Sequence, residues 1–396
     1  MKKINNLLSL AYSVLGTISV YSLSFILANQ SKYLFGEFSS FIFLLNIFIS
    51  SAGVGIDIQT ARLFVKGEMS KIGVFLFAGT IFNAFLTILY IIISIALNKL
   101  SYIYAFPIVV FQFFIIYIVG RLQVEKRFLE MSLIFNSVNI FRLVFLSIAL
   151  YYYRTVTLNE IIISFLIIHL FFMLFIFFKY KNYFVFGKTR SIKNFLLMVD
   201  KNAFTSLSVV AIAPFLHMLI YQSDIIILSA NFDPTTIASY SIVITILTAI
   251  YYFPSLIANR YILSRLLAIG YNEKKKENKS IYIYNSLCVL LIIFLFSISD
   301  FIFKTLFSGK YNDSIYIFQL LLIACIFRLF SIPIATTLNT EKLAPKKIVI
   351  MACVAFLNIT FNIIYVPRYG IDFLIISTIS TEILLFSSYL YLFNRK

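Results

Sequence analysis

The chain has 396 residues, 61% of them hydrophobic and 12% charged, with a mean hydropathy of +0.96 and a formal net charge of +17. A solvated globule carries about a quarter of its residues as charged groups, so this composition excludes an ordinary soluble domain and makes the bilayer the natural solvent. Cys288, Cys325 and Cys353 lie unpatterned in apolar runs, which suggests neither a disulfide framework nor a zinc site.

A spanning helix needs about 20 mostly apolar residues, and such stretches recur along the whole length. The first follows Lys2 and Lys3 and lacks the small-residue cleavage pattern of a removable signal. Twelve helices are expected near 7–29, 36–56, 72–97, 102–121, 130–152, 157–178, 205–228, 235–258, 280–303, 314–338, 348–366 and 371–393. Connections on one side are brief, as at Gln30 to Phe35 and Pro367 to Gly370. On the other they are longer and basic, as in KYKNYFVFGKTRSIKNF and YNEKKKENKS.

Twelve spans demand that Lys and Arg alternate between loops and that both termini share a side. Of the 33 basic residues, 25 fall on the terminus-bearing side, 6 on the other, and Arg142 and Arg328 inside spans. Both termini and the longer loops are therefore expected in the cytoplasm. The positive charge is a topology signal, helped by anionic headgroups, rather than a nucleic-acid footprint. The expected fold class is an all-α integral membrane protein: two six-helix bundles, residues 1–178 and 205–396, around a central cavity, joined by a basic cytoplasmic linker over 179–204. A faint repeat supports the halves, since Phe38-Ser39 enters the second helix as Tyr240-Ser241 enters the eighth.

Polar residues inside these spans are expensive and so informative. Ser132, Asn136, Asn139 and Arg142 step by four, three and three, forming one stripe in helix five that suits a wet cavity better than lipid. Arg328 lies near the middle of helix ten. Both arginines could attract a diphosphate, because a guanidinium matches phosphate oxygens bidentately. Alternatively they tie helices together, with Glu382 as a partner for Arg328. Asn358 and Asn362, one helical turn apart, could hydrogen-bond sugar hydroxyls or neighbouring helices. Ser13, Thr17, Tyr21 and Ser24 give helix one a hydroxyl-rich face that suits interhelical bonding. Helix seven carries Pro214, His217, Tyr221 and Asp224 at similar spacing, with a bend expected at the proline. His217 and Asp224 are the ion-coupling candidates, since histidine titrates near neutrality and an intramembrane carboxylate can hold a proton or sodium ion. His169, alone in helix six, reads as structural. Pro367-Arg368-Tyr369-Gly370 reads as a tight reversal at headgroup level.

Several segments, in order, resemble a known family. LNITFNIIYVPRYGIDFLIISTIS, YLFGEFSSFIFLLNIFISSAGVGIDIQTARLF, SDIIILSANFDPTTIASYSIVITI and LFSGKYNDSIYIFQLLLIA are similar to stretches of Wzx-type polysaccharide repeat-unit flippases. These belong to the multidrug/oligosaccharidyl-lipid/polysaccharide exporter superfamily. Ala238-Ser239 replace a family glycine, and Asp372 stands where small residues are usual. The resemblance implies alternating-access flipping of an undecaprenyl-diphosphate-linked oligosaccharide across the cell inner membrane, for O-antigen or capsule, coupled to H+ or Na+ and aided by polysaccharide assembly proteins. It places Arg62 at the cytoplasmic entrance.

No GxxxxGK[ST], HExxH, CxxC or GxSxG motif occurs, so no ATP hydrolysis, cofactor or metal is expected and the chain reads as a transporter, not an enzyme. A polysaccharide polymerase would require a large outer loop, and the expected outer loops are too short for one. A multidrug exporter of the same superfamily is the competing function.

Overall fold

The protein is described from a computed structural model, covering residues 2–53, 55–65, 67, 72–184, 201–257, 274–338 and 343–395. All regular structure among the described residues is helical: α1 Lys2–Gln30, α2 Lys32–Ala52, α3 Ile56–Val65, α4 Ile72–Ala96, α5 Phe106–Val124, α6 Phe128–Tyr153, α7 Leu158–Lys179, α8 Lys201–Asn231, α9 Pro234–Ile257, α10 Lys274–Ser297, α11 Ser299–Phe307, α12 Asp313–Thr337 and α13 Ala344–Asn394. Ten of the described helices or helix runs are long and apolar enough to cross a membrane, and the bent pair α10–α11 adds an eleventh. The 51-residue α13 is two helices joined at Gly370, whose φ of +64° and ψ of −148° no continuous helix contains. That division makes twelve, as expected from the sequence.

The reversal at Gly370 is visible in side-chain pairing. A straight helix would separate Asn358 from Thr381 by about 34 Å at 1.5 Å per residue, yet their side chains hydrogen-bond at 2.8 Å. The rings of Tyr365 and Phe373 likewise lie 5.0 Å apart. Glycine occupies the left-handed corner without a Cβ penalty. The chain therefore folds back on itself there, as the proline-to-glycine tetrapeptide suggests.

Three boundaries differ from expectation. The span expected over 36–56 begins at Lys32, ends at Ala52 and turns through Gly55 (φ +67°) into the short α3. The span over 280–303 is bent by 59° after Ser297. Flanking hydroxyls turn back onto carbonyls there, Ser297 to Ile293 at 2.9 Å and Ser299 to Phe296 at 2.9 Å, which favours departure from straight geometry. Part of YNEKKKENKS is helical, since α10 starts at Lys274; residues 271–273 and 185–200, the latter most of the expected linker, lie outside the described residues.

Some helix starts are set by side-chain caps, whereas α5, α6 and α12 have none. Thr157 and Glu160 exchange bonds as a capping box at α7. Asp233 accepts from the Thr235 and Thr236 amides at 3.0 and 3.2 Å, with Pro234 opening α9. The Thr235 and Thr236 hydroxyls, and after them these amides, hold the exposed Asp233 carboxyl down at about 2.

Two compact units result: Met1–Gln30 with Phe41–Met218, and Ser31–Ser40 with Leu219–Lys396. In the first, α1 packs along α6 through small and hydroxyl residues. Ser132 donates to the Ser9 carbonyl at 2.7 Å and shares a bond with Ser13 at 3.0 Å. A Cβ on Gly16 would come within 2.4 Å of Asn136 Oδ1. Gly16→Val is accordingly expected to lower stability by about 1–3 kcal/mol through overpacking, seen as a lower unfolding temperature in detergent, whereas Gly16→Ala does less harm.

Candidate functional site

In the second unit, a cavity of about 30 Å³ is lined by residues that include Tyr221 and Asp224 of α8, Tyr251 of α9, Arg328 of α12, and Asn358 and Glu382 of α13. Its volume suits a water molecule, not a sugar. Asp224 and Glu382 are only 3% and 2% exposed, so two carboxylates and one guanidinium share a water-poor interior. Such groups persist in a membrane only when they bond one another or face a wet cavity.

The backbone explains the convergence. Asp224 sits one turn beyond Tyr221, so both share a face of α8. The reversal at Gly370 lays the second limb of α13 beside the first. Asn362 then donates to Asp224 Oδ1 at 2.9 Å and to Asn358 Oδ1 at 3.1 Å. The Thr378 hydroxyl lies 3.0 Å from Asp224 Oδ2, and Tyr240 donates to the same oxygen at 3.3 Å. Both oxygens of Asp224 are thus met by donors. The two asparagines join neighbouring helices, one of the two roles open from the sequence.

Arg328 is held differently. Its guanidinium carbon lies 3.6 Å from the centroid of Tyr221 and 4.1 Å from that of Tyr251. This sandwich supplies quadrupole attraction at both faces. The charge of Arg328 acts on Glu382, the partner the sequence offered, while the Tyr221 hydroxyl donates to that carboxylate. Among the described residues Arg328 is in no ion pair. Glu382 Oε2 and Asn362 Oδ1 are buried without a hydrogen-bond partner there.

The stripe of α6 lies in the first unit and divides in two. Ser132 and Asn136 are buried, with Ser132 bonded to α1 and Asn136 donating to the Ser132 carbonyl at 2.9 Å. Further along, Arg142 donates to Asn139 Oδ1 at 3.4 Å, lies 3.1 Å from His169 Nε2, and stacks 4.3 Å from the centroid of Phe165. His169 Nδ1 is 2.7 Å from the Phe165 carbonyl, which can only accept. The proton therefore sits on Nδ1, and Nε2 accepts from Arg142. Every one of these partners is uncharged, and Arg142 Nε has none among the described residues.

His217 is exposed on α8 and belongs to the first unit, whereas Asp224 belongs to the second. Arg62 is exposed in the last turn of α3. Sequence reasoning treated His169 as packing alone, and it did not single out Tyr251 or Thr378. Apolar flanks hide tyrosine and threonine in a chain with 26 tyrosines. The regular polar spacing around Asp224 and Asn358 was the available signal.

No protein-family model matches the sequence, and no curated protein matches it. Solved structures do. The lipid II flippase MurJ in an inward closed conformation is 15% identical, with a TM-score of 0.71 over 98% of this chain and 87% of that one. An inward-facing multidrug resistance MATE family transporter of the MOP superfamily is 13% identical, with a TM-score of 0.68 over 97% and 96%. The eukaryotic MATE transporter AtDTX14 is 13% identical, with a TM-score of 0.62 over 100% and 96%. From end to end, this chain has the fold shared by these flippase and multidrug transporters.

Proposed function

We propose that the protein is a flippase that moves an undecaprenyl-diphosphate-linked oligosaccharide repeat unit from the inner to the outer leaflet of the cytoplasmic membrane by alternating access, driven by an ion gradient. The observation that carries this reading is Arg142, an intramembrane cation whose described contacts are all neutral. A guanidinium without a counter-charge among the described residues, in a low-dielectric setting, favours an anionic guest, and diphosphate is the class it grips best. The fold shared with a lipid II flippase supports the lipid-linked cargo. In this proposal Arg142 and Arg328 attract phosphate. Asn136 and Asn139 support the stripe, Asn358 and Asn362 organise the second pocket, and Arg62 lies at the entrance. His217 and Asp224 are the coupling positions offered by the sequence.

An organic-cation exporter is the second reading. Two carboxylates and two tyrosine rings around one cavity are the groups such a substrate would seek. Arg328, however, already fills the space between the rings and opposes a second cation. One assay separates the readings. The chain is expressed in a cell that makes lipid-linked repeat units but lacks its own flippase, and labelled glycolipid accessible at the outer leaflet is measured. Recovery is expected. Failure with correctly inserted protein and several repeat units, together with acquired resistance to organic cations, overturns the flippase reading.

A further inference from the structure

The two carboxylates that line the cavity of the second unit differ in one respect. Asp224 has donors at both oxygens, from Asn362, Thr378 and Tyr240. Glu382 has the Tyr221 hydroxyl, while its Oε2 is buried and has no partner among the described residues. An ionised carboxylate with a bare oxygen in such surroundings is costly, and the two ordinary remedies are a proton or a bound cation. The titratable and charged groups that bear on Glu382 are Tyr221 and Asp224 on α8, Tyr251 on α9, Cys325 and Arg328 on α12, and Tyr389 on its own helix. Against two carboxylates they offer one positive charge, that of Arg328. A single proton therefore brings the cluster to neutrality, and the bare oxygen is where it fits.

We propose that Glu382, in place of the His217 and Asp224 that the sequence offers, is the proton-carrying group of this transporter, taking up a proton on Oε2 from water in the adjoining cavity, while Asp224 remains the hydrogen-bonded, ionised counter-charge. The step balances simply: a hydronium O–H breaks, the Oε2–H bond forms, and water remains. Its consequence lies in Arg328. With Glu382 ionised, the positive charge of Arg328 is neutralised inside the cluster. With Glu382 protonated, that attraction is lost and Arg328 can attract an outside anion. Proton uptake and anion binding then favour one another, and by linkage each strengthens the other equally. The bond to Tyr221 connects α8 to the second limb of α13, so a change at Glu382 reaches the helix that carries Asp224. The link to transport rests on the flippase reading above, whereas the proton site itself does not.

The test is infrared difference spectroscopy of purified full-length protein in lipid, titrated in sodium-free buffer without substrate. Wild-type protein is expected to show a protonated-carboxyl C=O band that disappears as pH rises. Glu382→Gln is expected to lose the band, while Glu382→Asp and Asp224→Asn retain one. A band that survives in Glu382→Gln and vanishes in Asp224→Asn assigns the proton to Asp224 and overturns the proposal. Absence of any band at any pH in folded wild type also overturns it, leaving a permanent Arg328–Glu382 attraction. Circular dichroism confirms that each variant is folded. Because no cargo is present, failure of the glycolipid assay leaves this result standing, and failure here leaves the cargo assignment standing.

Discussion

On the proposed flippase function, Arg142→Ala is expected to reduce outer-leaflet glycolipid roughly ten- to hundred-fold while leaving the protein fully inserted. A hydrogen bond to a charged group contributes about 1.5–3 kcal/mol, and that range sets the factor. Insertion should not suffer, since arginine at a helix centre costs about 2.5–3.5 kcal/mol on insertion scales and alanine removes that cost. Arg142→Lys keeps the charge but not the planar fork, so it should retain part of the transport. The geometry adds a control that the sequence could not suggest. His169 Nε2 accepts from Arg142, so His169→Phe removes an acceptor and releases the guanidinium from its orientation. It should weaken transport less than Arg142→Ala. Unimpaired transport by Arg142→Ala, at wild-type protein levels, would sink the phosphate-anchor role and leave Arg142 as a strut between α6 and α7.

Why the fold was legible and the pocket only partly so has a physical answer. Lipid forces backbone bonds to close within each segment, so apolar length alone predicts helices. Glycine and proline at 367–370 then announce the reversal that Asn358 and Thr381 confirm. Boundaries fared worse where local chemistry overrides hydropathy. Gly55 and the paired serines at 297 and 299 break helices inside apolar stretches that look continuous. Polar positions could be found along one helix, as with the stripe from Ser132 to Arg142. Their partners could not, because pairing depends on which faces meet. Asn136 and Arg142 share a stripe, yet one packs beside Gly16 of α1 and the other meets His169 of α7. Arg328 shows the same limit. Its place near the middle of a span marks it as an intramembrane charge, but nothing along the chain shows that Tyr221 and Tyr251 close on its two faces.

Asp224→Ala is expected to be the most destabilising single change in the second unit. It removes one acceptor group from three helical segments at once: Asn362 and Thr378 on the two limbs of α13, and Tyr240 on α9. Each would be left in a nearly waterless interior, where a stranded polar group costs about 1–3 kcal/mol. Removing one partner from a buried charged network costs about 3–5 kcal/mol in measured cases. Several degrees of lost thermal stability, with a falling yield of monodisperse protein, should follow in detergent. Asp224→Asn should fall well short of that, because its carbonyl still accepts and only its amide faces the wrong neighbours. Asp233→Asn is the matched surface control: asparagine caps a helix about as well as aspartate, so an exposed cap should change little. If Asp224→Ala proves as stable as Asp233→Asn, the network does not hold the second unit together. Asp224 would then be a group kept for its charge alone, and the case for a fixed counter-charge beside a titrating Glu382 would have to stand on the infrared band by itself.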